Sequence, residues 1–210
     1  MKIINKGDKK AEILIYEEIG DGWLGGMSAK QFATDLAALG KLDEINVRIN
    51  SDGGSVFDGV TIYNTLRRNG ALITIDIDGL AASIASMIAM AGDDGQIRMA
   101  QNATFMIHDP WAITAGSADD LRTQADLLDQ LREQLVNTYD TVTDIGKDKI
   151  SELMKAETWM TAEEALGYGF VDSITDEMRV AAHWNLLDKF KHTPQALLNA
   201  NNVVQKNSQP

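Results

Sequence analysis

Short apolar runs and longer amphipathic stretches alternate along most of the chain. Glu12-Ile13-Leu14-Ile15-Tyr16 is a β-type run, ended by Gly20-Asp21-Gly22. Ser28 can cap a helix to about residue 39, in which Phe32, Leu36 and Leu39 recur at helical spacing before Gly40 closes it. Ile45, Val47 and Ile49 then alternate with Asn46, Arg48 and Asn50, the period of a strand with one buried face. Gly53-Gly54 follows, then a helix over about 57–68, stopped by Asn69-Gly70. The pattern predicts a strand over 72–77, a helix beginning at Ser83, and short strands over 97–99 and 104–107. Such alternation predicts an α/β fold of parallel strands joined by right-handed βαβ crossovers.

One long helix is expected over about 117–145. Its apolar positions Leu121, Leu128, Leu131, Leu135, Tyr139 and Val142 form a narrow stripe, suited to packing against a second helix, here or in another subunit. Two shorter helices should follow over 147–155 and 161–166, the second opened by the capping box Thr161-Ala162-Glu163-Glu164. Residues 1–178 thus read as one domain and 179–210 as a polar tail with an Asn/Gln-rich, mobile end.

Composition narrows the class. The 210 residues suffice for one domain with a real core, and 44% hydrophobic with 24% charged residues is ordinary for a globular protein. Net charge is −12, a field that repels phosphate backbones and argues against a nucleic-acid partner. The chain has no cysteine, so disulfides and thiolate metal sites are excluded, and the chemistry below calls for no metal or other cofactor. No secretory signal or membrane-spanning run is evident, so a cytoplasmic location is expected.

The chemistry converges on one hydroxyl. Ser83 lies in Gly79-Leu80-Ala81-Ala82-Ser83-Ile84-Ala85-Ser86-Met87, with little bulk around it and a helix behind it. A serine nucleophile must give its proton to an adjacent base, and histidine is the usual one. Of three histidines, His183 and His192 fall in the polar tail, while His108 ends the apolar run Phe105-Met106-Ile107. Taken alone, His108 could equally be a core histidine, Ser83 a packing residue and the glycine pair an ordinary turn. In combination they nominate a nucleophile, a base and an oxyanion site. The backbone N–H groups of Gly54 and Ile84 would be its donors, and Gly53 and Ser55 are candidate substrate contacts.

These motifs resemble the proteolytic subunit of the Clp protease (ClpP) family, whose patterns read Asn-Ser-Pro-Gly-Gly, Gly-Gln-Ala-Ala-Ser and Met-Ile-His-Gln-Pro. Here they stand as Asn50-Ser51-Asp52-Gly53-Gly54, Gly79-Leu80-Ala81-Ala82-Ser83 and Met106-Ile107-His108-Asp109-Pro110. The likeness continues through Trp159-Met160-Thr161-Ala162-Glu163-Glu164-Ala165 and Tyr168-Gly169-Phe170-Val171-Asp172, and covers about 12–175 in unbroken order. It implies the ClpP/crotonase-like spiral of βαβ units, Ser83 as nucleophile and His108 as base. The long helix becomes a protruding handle that joins heptameric rings, polypeptides the substrate, and the protein a homo-oligomer.

Three departures qualify this. The position of the family's third triad member, an Asp, holds Glu157; a glutamate can orient an imidazole in the same way, and Asp109 and Asp172 compete for the role. Asp52 replaces the proline of the glycine loop. Only about ten residues, rich in lysine, precede the first expected strand. Glu18-Ile19-Gly20-Asp21-Gly22-Trp23 with Ala29-Lys30-Gln31-Phe32 looks more like the ClpP-like head maturation proteases of phages and prophages, which trim capsid and scaffold proteins. The expectation is therefore a serine endopeptidase of prohead type. Its alternatives are a degradative subunit served by an AAA+ unfoldase, a crotonase-like acyl-CoA enzyme using a similar N–H pair, and a catalytically silent ring scaffold.

Overall fold

A computed structural model describes residues 1–20, 26, 28–177, 184 and 186–199. The Asp21-Gly22-Trp23 part of the phage-like segment, His183 and the Asn/Gln-rich end beyond 199 lie outside the described residues. Among the described residues, eight strands form one mixed sheet. Its core is the parallel set β2 (Lys10–Ile15), β3 (Glu44–Ser51) and β4 (Leu72–Ala82). Between them run α1 (Ala29–Ala38) and α2 (Val56–Arg67), capped by the side chains of Ser28 and Ser55. The alternation in β3 and β4 places Ile45, Val47, Ile49, Ile73, Ile75 and Ile77 in the core.

Two departures from the sequence pattern shape the sheet. The first strand is β1 (Lys2–Gly7), antiparallel to β2 through a two-residue turn, Asp8-Lys9, with positive φ at both positions. Such a turn matches the twist of a hairpin. It is an edge strand with no buried residue, so hydrophobic period could not mark it. The second is β4, which runs on past Ile77 through Asp78 and Gly79, both ordinarily strand breakers. Asp78 is buried but held by Nε and Nη2 of Arg48, each at 2.8 Å, and by the Tyr16 hydroxyl, whose pKa is pushed up to about 12 by burial and then by Asp78. At Gly79 a β-carbon would lie 2.7 Å from Asn50 Oδ1.

The extension lets β4 use two neighbours in succession. Ile75–Ile77 pair with β5 (Ile97–Ala100), and Leu80–Ala82 pair with β6 (Thr104–Ile107). Ser83 then opens α3 (Ile84–Ala89), wholly buried. The long helix is α4 (Ala118–Asp140), entered through a Ser117–Asp120 capping box. It stops short of 145 because the β-branched run Thr141-Val142-Thr143 turns back on it, with Thr141 and Thr143 hydroxyls donating to the Thr138 and Tyr139 carbonyls. Leu131, Leu135, Val136 and Tyr139 are buried, whereas Leu121 is exposed, so the first half of the helix stands off the body of the chain. α5 (Lys147–Lys155), β7 (Thr158–Met160), α6 (Ala162–Gly167) and β8 (Ser173–Thr175) complete the described body, with α6 held by the expected Thr161–Glu164 capping box. No helix among the described residues is long and apolar enough to cross a membrane.

Gly59 on α2 shows how tightly the crossover helices meet: a β-carbon there would lie 2.1 Å from Ile84 Cγ1. Gly59→Ala should lower stability by about 1–3 kcal/mol through overpacking. A shifted urea midpoint with an unchanged slope is the expected reading.

Candidate active site

β3, β4 and β6 are parallel neighbours, so their C-terminal ends open on one edge of the sheet, where sites of α/β proteins gather. Ser51 pairs with Ala81, and Ala82 with Met106, which sets the glycine loop, Ser83 and His108 side by side. Ser83 has φ 56° and ψ −130°, a conformation that costs a non-glycine residue of order 1–3 kcal/mol. Its neighbours hold it there. Ser83 N–H donates to the Met106 carbonyl at 3.0 Å, and the Ser83 carbonyl accepts from Ser86 N–H at 3.0 Å and from the Ser86 hydroxyl. The Ser86 hydroxyl also shares a 2.8 Å hydrogen bond with Tyr139 of α4, so the handle helix braces the turn from behind.

The glycine loop fits around this turn. A β-carbon on Gly53 would lie 2.7 Å from Ser83 Cβ, and one on Gly54 would lie 2.1 Å from the Ile19 carbonyl oxygen. Ile19 N–H donates to the Gly53 carbonyl and Ser55 N–H to the Ile19 carbonyl, clamping the loop from the far side. Among the described residues, the N–H groups of Gly54 and Ile84 donate to no acceptor, and Gly54 borders an open cleft of about 320 Å³ with Ser83 and His108. Gly53 is buried beneath the serine, and Ser55 caps α2 through a bond from Asp58 N–H, so neither borders that cleft.

His108 Nε2 lies 2.7 Å from Ser83 Oγ. Burial holds its pKa below the ordinary histidine value, against the opposing pull of Glu157 and Asp109. The three candidate acids are placed quite differently. Asp172 accepts from Ile97 N–H at 2.8 Å and ties β8 to β5. Asp109 is bound by Arg132 Nε at 2.8 Å. Glu157, with φ 51°, precedes β7, whose antiparallel register with β6 puts Thr158 opposite Ile107, so Glu157 and His108 each lie one residue beyond that last pair. No hydrogen bond joins His108 Nδ1 to a carboxylate among the described residues. The Glu157 carboxylate instead accepts from the backbone N–H groups of Lys191 at 2.9 Å and His192 at 2.6 Å, and from the Trp159 indole.

Those last contacts come from a segment that the sequence reading treats as polar tail. Leu186 and Leu187 are buried there, and the Phe190 ring meets His108 edge-on, with centroids 5.2 Å apart. The apolar spacing of Trp184, Leu186, Leu187 and Phe190 was the available signal, diluted by the charges between them.

A strained serine at a strand-to-helix turn, an imidazole on its hydroxyl and unengaged N–H groups beside it form the constellation of acyl-transfer enzymes that use a serine nucleophile. Comparison with known proteins gives the family. The Clp protease family model matches residues 1–178. The ATP-dependent Clp protease proteolytic subunit of Deinococcus radiodurans is 38% identical over 136 residues, 65% of this chain and 67% of that protein. Proteolytic subunit 1 of Salinibacter ruber is 35% identical over 142 residues, 68% of this chain and 61% of that protein. Proteolytic subunit 1 of Leifsonia xyli subsp. xyli is 33% identical over 168 residues, 76% of this chain and 85% of that protein. The chain belongs to the Clp protease family, and so to the serine-type peptidases.

Because burial lowers the His108 pKa, the imidazole stays neutral, and able to accept the serine proton, to a pH below its ordinary 6.5. The rate of fluorophosphonate labelling at Ser83, followed against pH, should therefore have its acid half-point below 6.5.

Proposed function

We propose that the protein is a serine endopeptidase in which Ser83 is the nucleophile, His108 the general base and Glu157 the acid that orients the imidazole. The observation that carries this reading is the 2.7 Å approach of His108 Nε2 to Ser83 Oγ at the mouth of an open cleft. Ser83 Oγ attacks the scissile carbonyl as its proton passes to Nε2. The N–H groups of Gly54 and Ile84 receive the oxyanion, and His108 returns the proton to the leaving amine. Water then hydrolyses the acyl-enzyme by the same route. Glu157, held by its N–H partners, bears on His108 through its charge, which pulls the imidazole pKa upward and so favours the imidazolium.

The substrate is polypeptide. The Glu18–Trp23 and Ala29–Phe32 sequences favour a prohead protease trimming capsid or scaffold protein in the host cytoplasm, without an ATPase. The exposed first half of α4, with Leu121 uncovered, favours assembly into a homo-oligomeric ring or double ring through that helix.

Ser83→Ala should reduce peptide hydrolysis by about 10⁶-fold with the fold intact, and Glu157→Gln by up to about 10⁴-fold. Fluorophosphonate added to the wild-type protein should appear on Ser83 by intact-mass spectrometry. Coenzyme A binding without labelling would favour the crotonase-like reading, and a ring that takes up neither would be a scaffold.

Native mass spectrometry should find a ring rather than a monomer. Cleavage of capsid or scaffold protein should proceed without nucleotide. A strict requirement for an AAA+ unfoldase would replace the prohead reading with the degradative one.

A further inference from the structure

We infer that the C-terminal segment from Leu186 to His192 is a built part of the catalytic centre: it walls the cleft with Leu186 and Phe190 and positions the Glu157 carboxylate with two backbone N–H groups. The inference rests on the Ser83–His108 reading above. The segment lies beyond residue 178, outside the stretch that carries the family likeness.

Burial fixes it in place. Leu187 packs with Leu80, Ala82 and Met106, the residues of β4 and β6 that lead into Ser83 and His108, and Trp159, Trp184, Phe190, Leu197 and Leu198 close around them. The turn Leu187–Lys189 is pinned by the Thr193 hydroxyl on the Leu187 carbonyl at 2.7 Å. Two acceptors from the site then take up its amides. The buried Asp52 carboxyl accepts from Leu186 N–H, and Glu157 accepts from Lys191 and His192. These acceptors are two of the positions at which the site motifs depart from the family pattern, Leu80 and Asp109 being others. Proline at 52 could accept nothing from Leu186 through its side chain, and aspartate at 157 would be one methylene shorter toward the two amides. The departures and the extra segment thus explain one another.

The segment is a wall and not a plug. Leu186, Lys189 and Phe190 border the same open cleft as Ser83 and Gly54, facing Trp111 and Ile113. Phe190 also stacks edge-on against Trp159, so one ring excludes water from His108 and seats the strand next to Glu157. The charged and titratable groups around the imidazole, among the described residues, are Ser83, Glu157, Asp109 with its partner Arg132, and Glu18, Lys155, Lys189, Lys191 and His192 lining the cleft and its rim.

The test uses full-length protein, a small fluorogenic peptide and fluorophosphonate. Lys191→Pro deletes one N–H donor, and Phe190, with ψ 147°, already has the extended backbone that a following proline requires of it; Lys191→Ala keeps the donor. The ratio of their kcat values should be about ten in favour of alanine, the cost of losing one bond to a charged acceptor. Phe190→Ala should admit water to His108 and move the acid limb of kcat/KM upward, toward pH 6.5. Equal kcat for the two Lys191 variants, with the wild-type acid limb in Phe190→Ala, would mean that the segment only packs. A rise in activity in Lys191→Pro or Phe190→Ala would mean that it restrains the site. Either result overturns the inference. If Lys191→Pro does not fold, the Phe190→Ala acid limb decides alone. A wild-type protein that neither labels nor hydrolyses would sink the peptidase reading instead.

Discussion

The catalytic edge depends on how closely two backbones approach. Gly53 passes so near Ser83 that a single β-carbon would collide with the serine's own, and Gly54 is equally crowded from the other side by Ile19. Only a chain without side chains can turn there, at the positive φ both residues adopt. That turn lays the loop's amides beside the hydroxyl. The strained serine conformation is tolerable because a strand partner, a helix turn and Tyr139 all hold it. Loosening any one of the three would let Ser83 relax away from His108.

Charge at the site is arranged by occupation. The imidazole has two carboxylates within electrostatic reach, yet its burial outweighs them and holds its pKa below the ordinary histidine value. Asp109 is spent on Arg132 of the handle helix, and Asp172 on a strand amide. Glu157 lies just beyond the same end of the β6–β7 pair as His108, in a left-handed backbone conformation that ends the turn after α5. Its carboxylate is held by three N–H donors, from Trp159, Lys191 and His192.

Much of this was legible in the sequence where hydrophobic period and capping chemistry act locally. Ile45, Val47 and Ile49 alternate because one face of β3 is buried, and Ser28, Ser117 and Thr161 cap the helices they precede. Ser83 and His108 were legible because small residues and an apolar run frame them. The unread parts depend on contacts distant in the chain. β1 has no buried face, and β4 continues through Asp78-Gly79 only because Arg48, Tyr16 and Asn50 occupy the space around it. The C-terminal segment hid its apolar residues among charges, and its anchors are 134 residues away at Asp52 and 34–35 residues away at Glu157.

The Asp52–Leu186 bond also constrains how such a chain can be remade. Swapping in a proline-bearing loop from a relative would leave a buried amide hydrogen with no acceptor, while transplanting the tail onto a relative would bring that amide to a ring that cannot answer it. Loop and tail are therefore coupled through one buried bond, and a chimera that separates them should lose stability even though more than a hundred residues lie between.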